Sequence, residues 1–182
     1  MNYKARALAV LVAATVSSAA MASDGKLDFN GELKAETCQV AVNGAAASGA
    51  TTVTLPTIST ASLASAGQVA GQTGFNIELS KCSAAIKTAA AFFESGGGVD
   101  PASGNVKNIS GSATKVQLQL VDATNGNAIK AGNTSQVTST SRVTVDPTAL
   151  TAVLPYAVQY YAQSATTPGT VVGSVTYSIN YQ

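Results

Sequence analysis

The chain has 182 residues, a formal net charge of +1 and only 10% charged residues, where roughly a quarter is usual. This length allows one domain with a real core, and such a neutral chain offers no basic surface for nucleic acid or anionic lipid. Histidine is absent, which removes the usual general base, the serine protease triad and the commonest zinc ligand.

The N-terminus predicts a secretory signal peptide. Lys4 and Arg6 precede an apolar run over residues 7–16, and small residues follow up to Ala22. This order is typical of a signal peptide with an A-x-A cleavage site, and the run is too short to span a membrane. We place cleavage after Ala22, with Ala20 as the weaker alternative. Removing Lys4 and Arg6 from the ten basic residues leaves eight against nine acidic ones.

A short strand is predicted next, because apolar and polar residues alternate in Gly25-Lys26-Leu27-Asp28-Phe29. A second strand is expected at 38–42, and it begins at Cys38. The other cysteine is Cys82, and in an exported chain the two are expected to pair. Two buried free thiols are the alternative.

The middle of the chain predicts many short strands separated by turns. Asn-Gly pairs, Gly96-Gly97-Gly98 and Asp100-Pro101 mark turns, and residues 61–74 are expected to form a loop. The Ala-rich residues 83–91 could also form a helical turn. Further strands are predicted at 53–55, 75–79, 89–93, 116–120, 143–145 and 156–160. This pattern predicts an all-β sandwich or barrel in one domain.

The last predicted strand covers residues 175–182. Its apolar residues occupy every second position, which is the period of a half-buried strand. A strand with no successor lacks the hairpin partner that would normally cover it. Together with the free strand near the N-terminus, this suggests that copies of the chain polymerise head to tail.

No motif in the sequence predicts catalysis. The triple glycine at 96–98 lacks the Lys-Ser/Thr of a phosphate-binding loop. Acidic residues such as Glu78 and Asp122 are isolated, and sequons at Asn108 and Asn133 are a pattern common by chance. We therefore expect neither an enzyme nor a cofactor or metal site.

Residues 29–38, 74–82 and 155–182 carry a family resemblance. They contain Phe29-Asn30-Gly31-Glu32-Leu33, Gly74-Phe75-Asn76-Ile77-Glu78-Leu79 and the Thr167-Pro168-Gly169 turn before Tyr181-Gln182. Residues 111–114 and Val121-Asp122 add to it. In this order and near the expected spacing, they make residues 23–182 similar to subunits of chaperone–usher fimbriae, specifically to type 1 fimbrial major pilins.

This resemblance implies a fold and an assembly route. The fold would be an incomplete immunoglobulin-like β-sandwich that lacks its last strand. A periplasmic chaperone would fill the gap first, and at an outer-membrane usher the N-terminal strand of the next subunit would replace it. The partners implied are identical subunits, the chaperone, the usher and minor fimbrial subunits, with no nucleic acid. The chain would be exported through the periplasm to a surface fimbria that supports adhesion.

The residues can be assigned to that scheme. Residues 1–22 would be the signal peptide, 23–31 the donor strand and 32–182 the pilin domain. Leu27 and Phe29 would enter the groove of a neighbour, and Gly25 would face a shallow part of it. The acceptor strand, which the chaperone would also contact, would present Val175, Tyr177, Ile179 and Tyr181.

Three alternatives stay open at this point. The chain could be a minor adaptor or tip subunit of the same kind of fimbria, since an adaptor would share the fold and the donor strand. It could be a secreted immunoglobulin-like binding module with a closed sandwich. A secreted enzyme is the third alternative, and the missing catalytic motifs disfavour it.

Overall fold

The regular secondary structure of the described residues is mostly β-strand. The structure, a computed structural model, describes residues 37–46 and 49–182. In chain order the strands are β1 (Gln39–Val42), β2 (Ala45–Ala46), β3 (Val69–Ser80), β4 (Thr88–Phe93), β5 (Val106–Lys107), β6 (Val116–Asp122), β7 (Ala128–Ile129), β8 (Val143–Thr144), β9 (Ala152–Ala162) and β10 (Tyr177–Tyr181). A 3-10 helix at Thr60–Leu63 and one short helix, α1 (Gln136–Ser139), complete the set.

Two antiparallel sheets enclose the core. The first has the order β2-β1-β3-β9-β6-β5, with β7 also paired to β6, and the second has the order β10-β4-β8. Ile77 of β3, Leu154 of β9 and Phe93 of β4 are almost fully buried in one cluster that draws on both sheets. The predicted all-β sandwich is confirmed.

The first hairpin shows how local sequence directs the fold. Val42 pairs with Ala45, so Asn43 and Gly44 form a two-residue connection between β1 and β2. Both have positive φ, 48° and 79°, as a type I′ turn requires, and Asn-Gly is the pair that adopts it most readily. The turn predicted at this position is confirmed.

The loop predicted over residues 61–74 is wrong. It contains the 3-10 helix and the first half of β3, which pairs with β9 from Val69 onward. The register shifts between Ala70 and Thr73, so a bulge breaks the alternation that would mark a strand. Backbone pairing with a long neighbour, and not large apolar side chains, holds this part of β3 in place.

Other predicted elements differ mainly at their ends. Residues 53–55 form no regular strand, although their alternating burial survives. The last strand begins at Tyr177 and not at Val175. Of residues 83–91, the first five form a turn, in which the Ile86 N–H donates to the Ser83 carbonyl, and residues 88–91 belong to β4.

Two predicted segments lie outside the described residues: the signal peptide at 1–22 and the donor strand at 23–31. Both, and the division of the chain that depends on them, stay predictions. Within the described residues, no helix has the length and apolar character needed to cross a membrane.

Candidate acceptor groove

An apolar groove of about 1130 Å³ opens between the two sheets. Its lining includes residues 172–177 with Ile179 and Tyr181, and also residues 49–53 with Leu55. Core side chains such as Phe93 of β4 and Leu118 of β6 also contribute to its lining. Among the lining residues only Glu94 is charged, so the groove suits an apolar occupant.

The C-terminal wall contains the four predicted acceptor residues, Val175, Tyr177, Ile179 and Tyr181. All four are half-buried, whereas Thr176 and Ser178 between them are exposed. The two-residue period seen in the sequence is therefore the period of this wall. The structure brings the four residues together, and their role in accepting a strand stays a prediction.

The outer edge of β10 is not paired by any described strand. On its inner edge, Thr88 and Gln182 exchange two backbone hydrogen bonds of 2.9 Å, and the Glu94 N–H donates to the Thr176 carbonyl. Because such bonds alternate along an antiparallel ladder, the N–H and C=O groups of Tyr177, Ile179 and Tyr181 point away from β4. These backbone groups are available to an added strand.

A second segment of the lining is formed by residues 51–53 and Leu55. Thr51, Val53 and Leu55 are half-buried and alternate with exposed residues, and the side chains of Val53 and Leu55 pack against the core. The sequence identified the alternation of this segment but gave no signal that it would line the same groove as β10.

A hydrogen bond joins β10 to Cys38, the residue just before β1. The Tyr181 hydroxyl of β10 accepts from the Cys38 N–H at 3.3 Å. Cys38 is also joined to Cys82, just after β3, by a disulfide of 2.07 Å. The predicted pairing of the two cysteines is confirmed, and it lies beside the acceptor strand.

Arg142 fastens β10 to β4. Its guanidinium donates to the side-chain oxygen of Asn180 at 2.7 Å and to the Asn180 carbonyl at 2.9 Å, and it also donates to the hydroxyl and carbonyl oxygens of Thr88. Burial lowers the pKa of Arg142 from its ordinary value, although an arginine stays charged in proteins. Sequence reasoning missed this residue, because a single arginine in a polar stretch has no pattern.

The connection from β9 to β10 is held by Asn108. Its amide donates to the carbonyls of Ala113 and Thr170, and its oxygen accepts from the N–H groups of Gly111 and Val172. The sequon at Asn108 is thus a structural element, since its side chain is fully engaged. This network positions the residues that enter the groove wall at Val172.

Glycine at position 173 allows the same connection to pass close to β5. A Cβ there would lie 2.7 Å from the Lys107 carbonyl oxygen and 2.9 Å from a methyl of Val106, closer than ordinary van der Waals contact. The wall can therefore approach the first sheet only with glycine at this position.

Burial affects the pKa of Tyr177, in the groove wall, and of Tyr156, in the core. It raises the pKa of Tyr177 above the ordinary value, and it does the same at Tyr156, where the other influences are smaller. Both phenols are thus neutral near pH 7. In the part of the chain that the structure covers, no cluster of three or more histidine, cysteine or acidic residues could hold a metal.

The predicted donor residues Gly25, Leu27 and Phe29 lie outside the described residues. The structure therefore shows one side of the expected interaction, the groove with its unpaired strand edge. What the groove binds stays a prediction.

Comparison with known proteins identifies the family. The family described as "FimA: Type-1 fimbrial protein, A" matches residues 55–182. The chain is 40% identical to an F17 fimbrial protein of Escherichia coli, covering 94% of this chain and 95% of the relative. It is 41% identical to the major fimbrial subunit SMF-1 of Stenotrophomonas maltophilia, covering 90% and 95%.

A solved structure supports the fold. The crystal structure of the P pilus rod subunit PapA superposes with a TM-score of 0.57 at 17% identity, covering 80% of this chain and 99% of that one. The expected incomplete immunoglobulin-like sandwich is confirmed at the level of the fold. The chain belongs to the type-1 fimbrial protein family and is a structural pilus subunit.

Proposed function

We propose that the groove accepts the N-terminal strand of a second copy of this chain, so that subunits join head to tail into a surface fimbria by donor-strand exchange. One observation carries this proposal: β10 has an outer edge that no described strand pairs, and that edge borders an apolar groove. An added strand would use both features, because main-chain hydrogen bonds provide affinity and alternate side chains fill the groove.

The donor segment fits the groove in length and chemistry. At about 3.3 Å per residue, residues 23–31 extend over about 30 Å, and residues 175–181 over about 23 Å. Leu27 and Phe29 fall on one face of an extended strand, and each large side chain contributes about 1.5–3 kcal/mol when fully buried. In such a strand Asp24, Lys26 and Asp28 would occupy the other face.

The same groove explains the expected partners. Before polymerisation, an open edge beside an apolar groove favours aggregation, so the subunit requires a temporary partner. We propose that a periplasmic chaperone supplies a strand to β10 and that an outer-membrane usher then exchanges it for the next subunit. The signal peptide at 1–22 would bring the chain to this route. The role is structural, without catalysis.

Shearing the surface of producing cells provides the test. The released material is run on SDS gels, unheated and heated, and probed for this chain. A ladder of high mass that collapses only on strong heating is expected, because the exchanged strands are non-covalent and slow to dissociate. Abundant ladders support a shaft subunit over a minor adaptor. A monomer band in both lanes would contradict the proposal and favour a closed binding module.

A further inference from the structure

The second sheet has two edges, and only one of them is open. β10 forms the first edge. On the other side, β8 covers only Thr88 and Ala89 of β4, by pairing with Thr144 and Val143. The rest of β4 extends beyond β8 and would offer a second place for strand addition.

The backbone groups on this far side of β4 can be assigned. Thr88 bonds to Gln182 and Glu94 to Thr176 on the β10 side. By the alternation of the ladder, the N–H groups of Ala91 and Phe93 point to the far side. They lie two residues apart, at the spacing that an incoming strand would use.

The carboxamide of Gln136 occupies the position at Phe93. The Phe93 N–H donates to the side-chain oxygen of Gln136 at 2.9 Å. The side-chain nitrogen of Gln136 donates to the Phe93 carbonyl at 3.0 Å. The Phe93 carbonyl also accepts from the Gly132 N–H at 2.8 Å, so the Gln136 side chain and the backbone at Gly132 together fill the positions that a strand residue would take. Gln136 is 3% exposed and is the first residue of α1, so the cap is built into the fold.

The hydroxyl of Tyr156 occupies the neighbouring position. It accepts from the Ala91 N–H at 2.8 Å, and Tyr156, on β9 of the opposite sheet, is 2% exposed. Its ring packs edge-on against Phe93, with centroids 5.2 Å apart. Two side chains from different elements therefore satisfy the two amides that an incoming strand would need.

The edges of the first sheet are protected in another way. They are β2 and β5, each of only two residues, and very short edge strands offer little for pairing. Across residues 37–46 and 49–182, β10 is thus the one strand at a sheet edge that is longer than two residues.

We propose that Gln136 and Tyr156 are edge-capping residues that leave β10 as the single strand-accepting edge, so that each subunit receives one donor strand and the fibre does not branch. This inference rests on the proposed function. It adds that a donor strand binds at β10 and not at the far side of β4 because side chains close the far side of β4.

The test uses assembled fibres of the full mature chain and a labelled synthetic peptide of residues 23–32. In wild-type fibres every β10 except the last is occupied, so the peptide should bind only at fibre ends. In Gln136→Leu fibres each subunit should offer a second edge. Bound label per subunit should then rise by at least about tenfold and extend along the fibre, with branch points visible by electron microscopy.

Amide hydrogen exchange shows whether the cap has been removed. The Phe93 amide should exchange at least about tenfold faster in Gln136→Leu. Gln119→Leu is the matched control, because Gln119 accepts a hydrogen bond from Gln159 on the first sheet, away from β4. It should behave as wild type. If Gln136→Leu fibres fail to form, Tyr156→Phe is the second variant, because it keeps the ring in the core and removes the hydrogen bond to the Ala91 N–H. The Ala91 amide should then exchange faster, and label should bind along the fibre.

The outcomes separate the two proposals. Faster exchange at Phe93 with label still confined to fibre ends would overturn the capping inference, and so would unchanged exchange. Wild-type subunits that form no fibres, or fibres whose ends bind no peptide, would instead contradict donor-strand exchange itself.

Discussion

Asp122 is a buried carboxylate with a structural task. It lies at the end of β6 and is 1% exposed. One carboxylate oxygen accepts from the Thr124 N–H at 2.8 Å and the other from the Ser141 N–H at 2.6 Å. It therefore connects the β6–β7 turn to the segment that carries Arg142, the residue that fastens β10. The isolated acidic residue noted in the sequence is a scaffold element.

Replacing Asp122 by asparagine should destabilise the subunit. The amide cannot accept at both of its polar atoms, so one of the two part-buried N–H groups loses its partner, at a cost of about 1 kcal/mol. Urea unfolding of the chaperone-free oxidised subunit measures this loss. Asp146→Asn is the control. Asp146 is exposed, and a single oxygen of its carboxylate accepts from the N–H groups of Thr148 and Ala149, so an asparagine oxygen can still accept both bonds. Equal stabilities of the two variants would contradict the assignment.

The same carboxylate should make stability depend on pH. Burial opposes its ionisation, but hydrogen bonds from the Ser141 and Thr124 amides outweigh burial, and the pKa of Asp122 lies below the ordinary 3.8. A lowered folded-state pKa gives stability that is present above pH 3.8 and is lost as pH falls through the folded value. Urea midpoints between about pH 6 and about pH 2 should fall more steeply in wild type than in Asp122→Asn.

At the scale of elements, β10 is the strand on which assembly depends. Its inner edge is bonded to β4, its apolar face lines the groove, and its outer edge is free of described strands. The inner edge contacts the rest of the subunit, the apolar face would contact the side chains of a donor strand, and the outer edge would bond to the backbone of that strand. A change on one face of β10 should therefore affect one of them selectively.

Ile179→Asp should abolish strand capture. Ile179 is half-buried in the groove wall, and a carboxylate there would be buried without a partner when a strand is added. Periplasmic yield of the chaperone-bound subunit and the amount of surface fibre measure the effect, and both should fall by about tenfold or more. Asn180→Asp places the same charge on the same strand, toward the guanidinium of Arg142, and should assemble normally. Undiminished yield of Ile179→Asp would argue against the groove.

The alternation of apolar and polar residues was enough to predict which side chains of β10 lie on one face. It did not predict which residues pack around that strand. Residues 175–181 alternate in the sequence and in the groove wall. The first half of β3 was missed because backbone pairing with β9, across a bulge, replaces the side-chain pattern. Gln136 and Arg142 could not be found, since their roles depend on partners 43 and 54 residues away. Such contacts are set by tertiary structure and leave no local signal.

At the scale of the whole molecule, the residues that the structure describes form a sandwich with β10 at an open edge, and in the proposal the subunit also has one strand to donate. Equal numbers of donors and acceptors produce a linear polymer. The polymer cannot close onto its own subunit unless the extension reaches back into its own groove. Chain growth therefore requires both the segment at 23–31 and the groove.

Deleting residues 23–29 should separate these two capacities. The variant retains its groove, so it should still be captured by the chaperone and should accept one donor, but it should not extend a fibre. Counting fibre length by electron microscopy in cells that express both forms should show shorter fibres as the variant increases. Lys26→Ala, on the opposite face from Leu27 and Phe29, should leave fibre length unchanged. Normal fibres from the deletion variant alone would refute donor-strand exchange.

The hydrogen bond from Cys38 to the Tyr181 hydroxyl gives the proposed fibre a mechanical property. When the fibre is pulled, force enters a subunit through the donor seated on β10 and leaves through the chain that precedes Cys38. These two points are directly joined by that hydrogen bond, and the disulfide ties Cys38 to the end of β3. Tension would then pass across one corner of the subunit, through the contact between Tyr181 and Cys38, and the disulfide would hold Cys38 to the residue that follows β3.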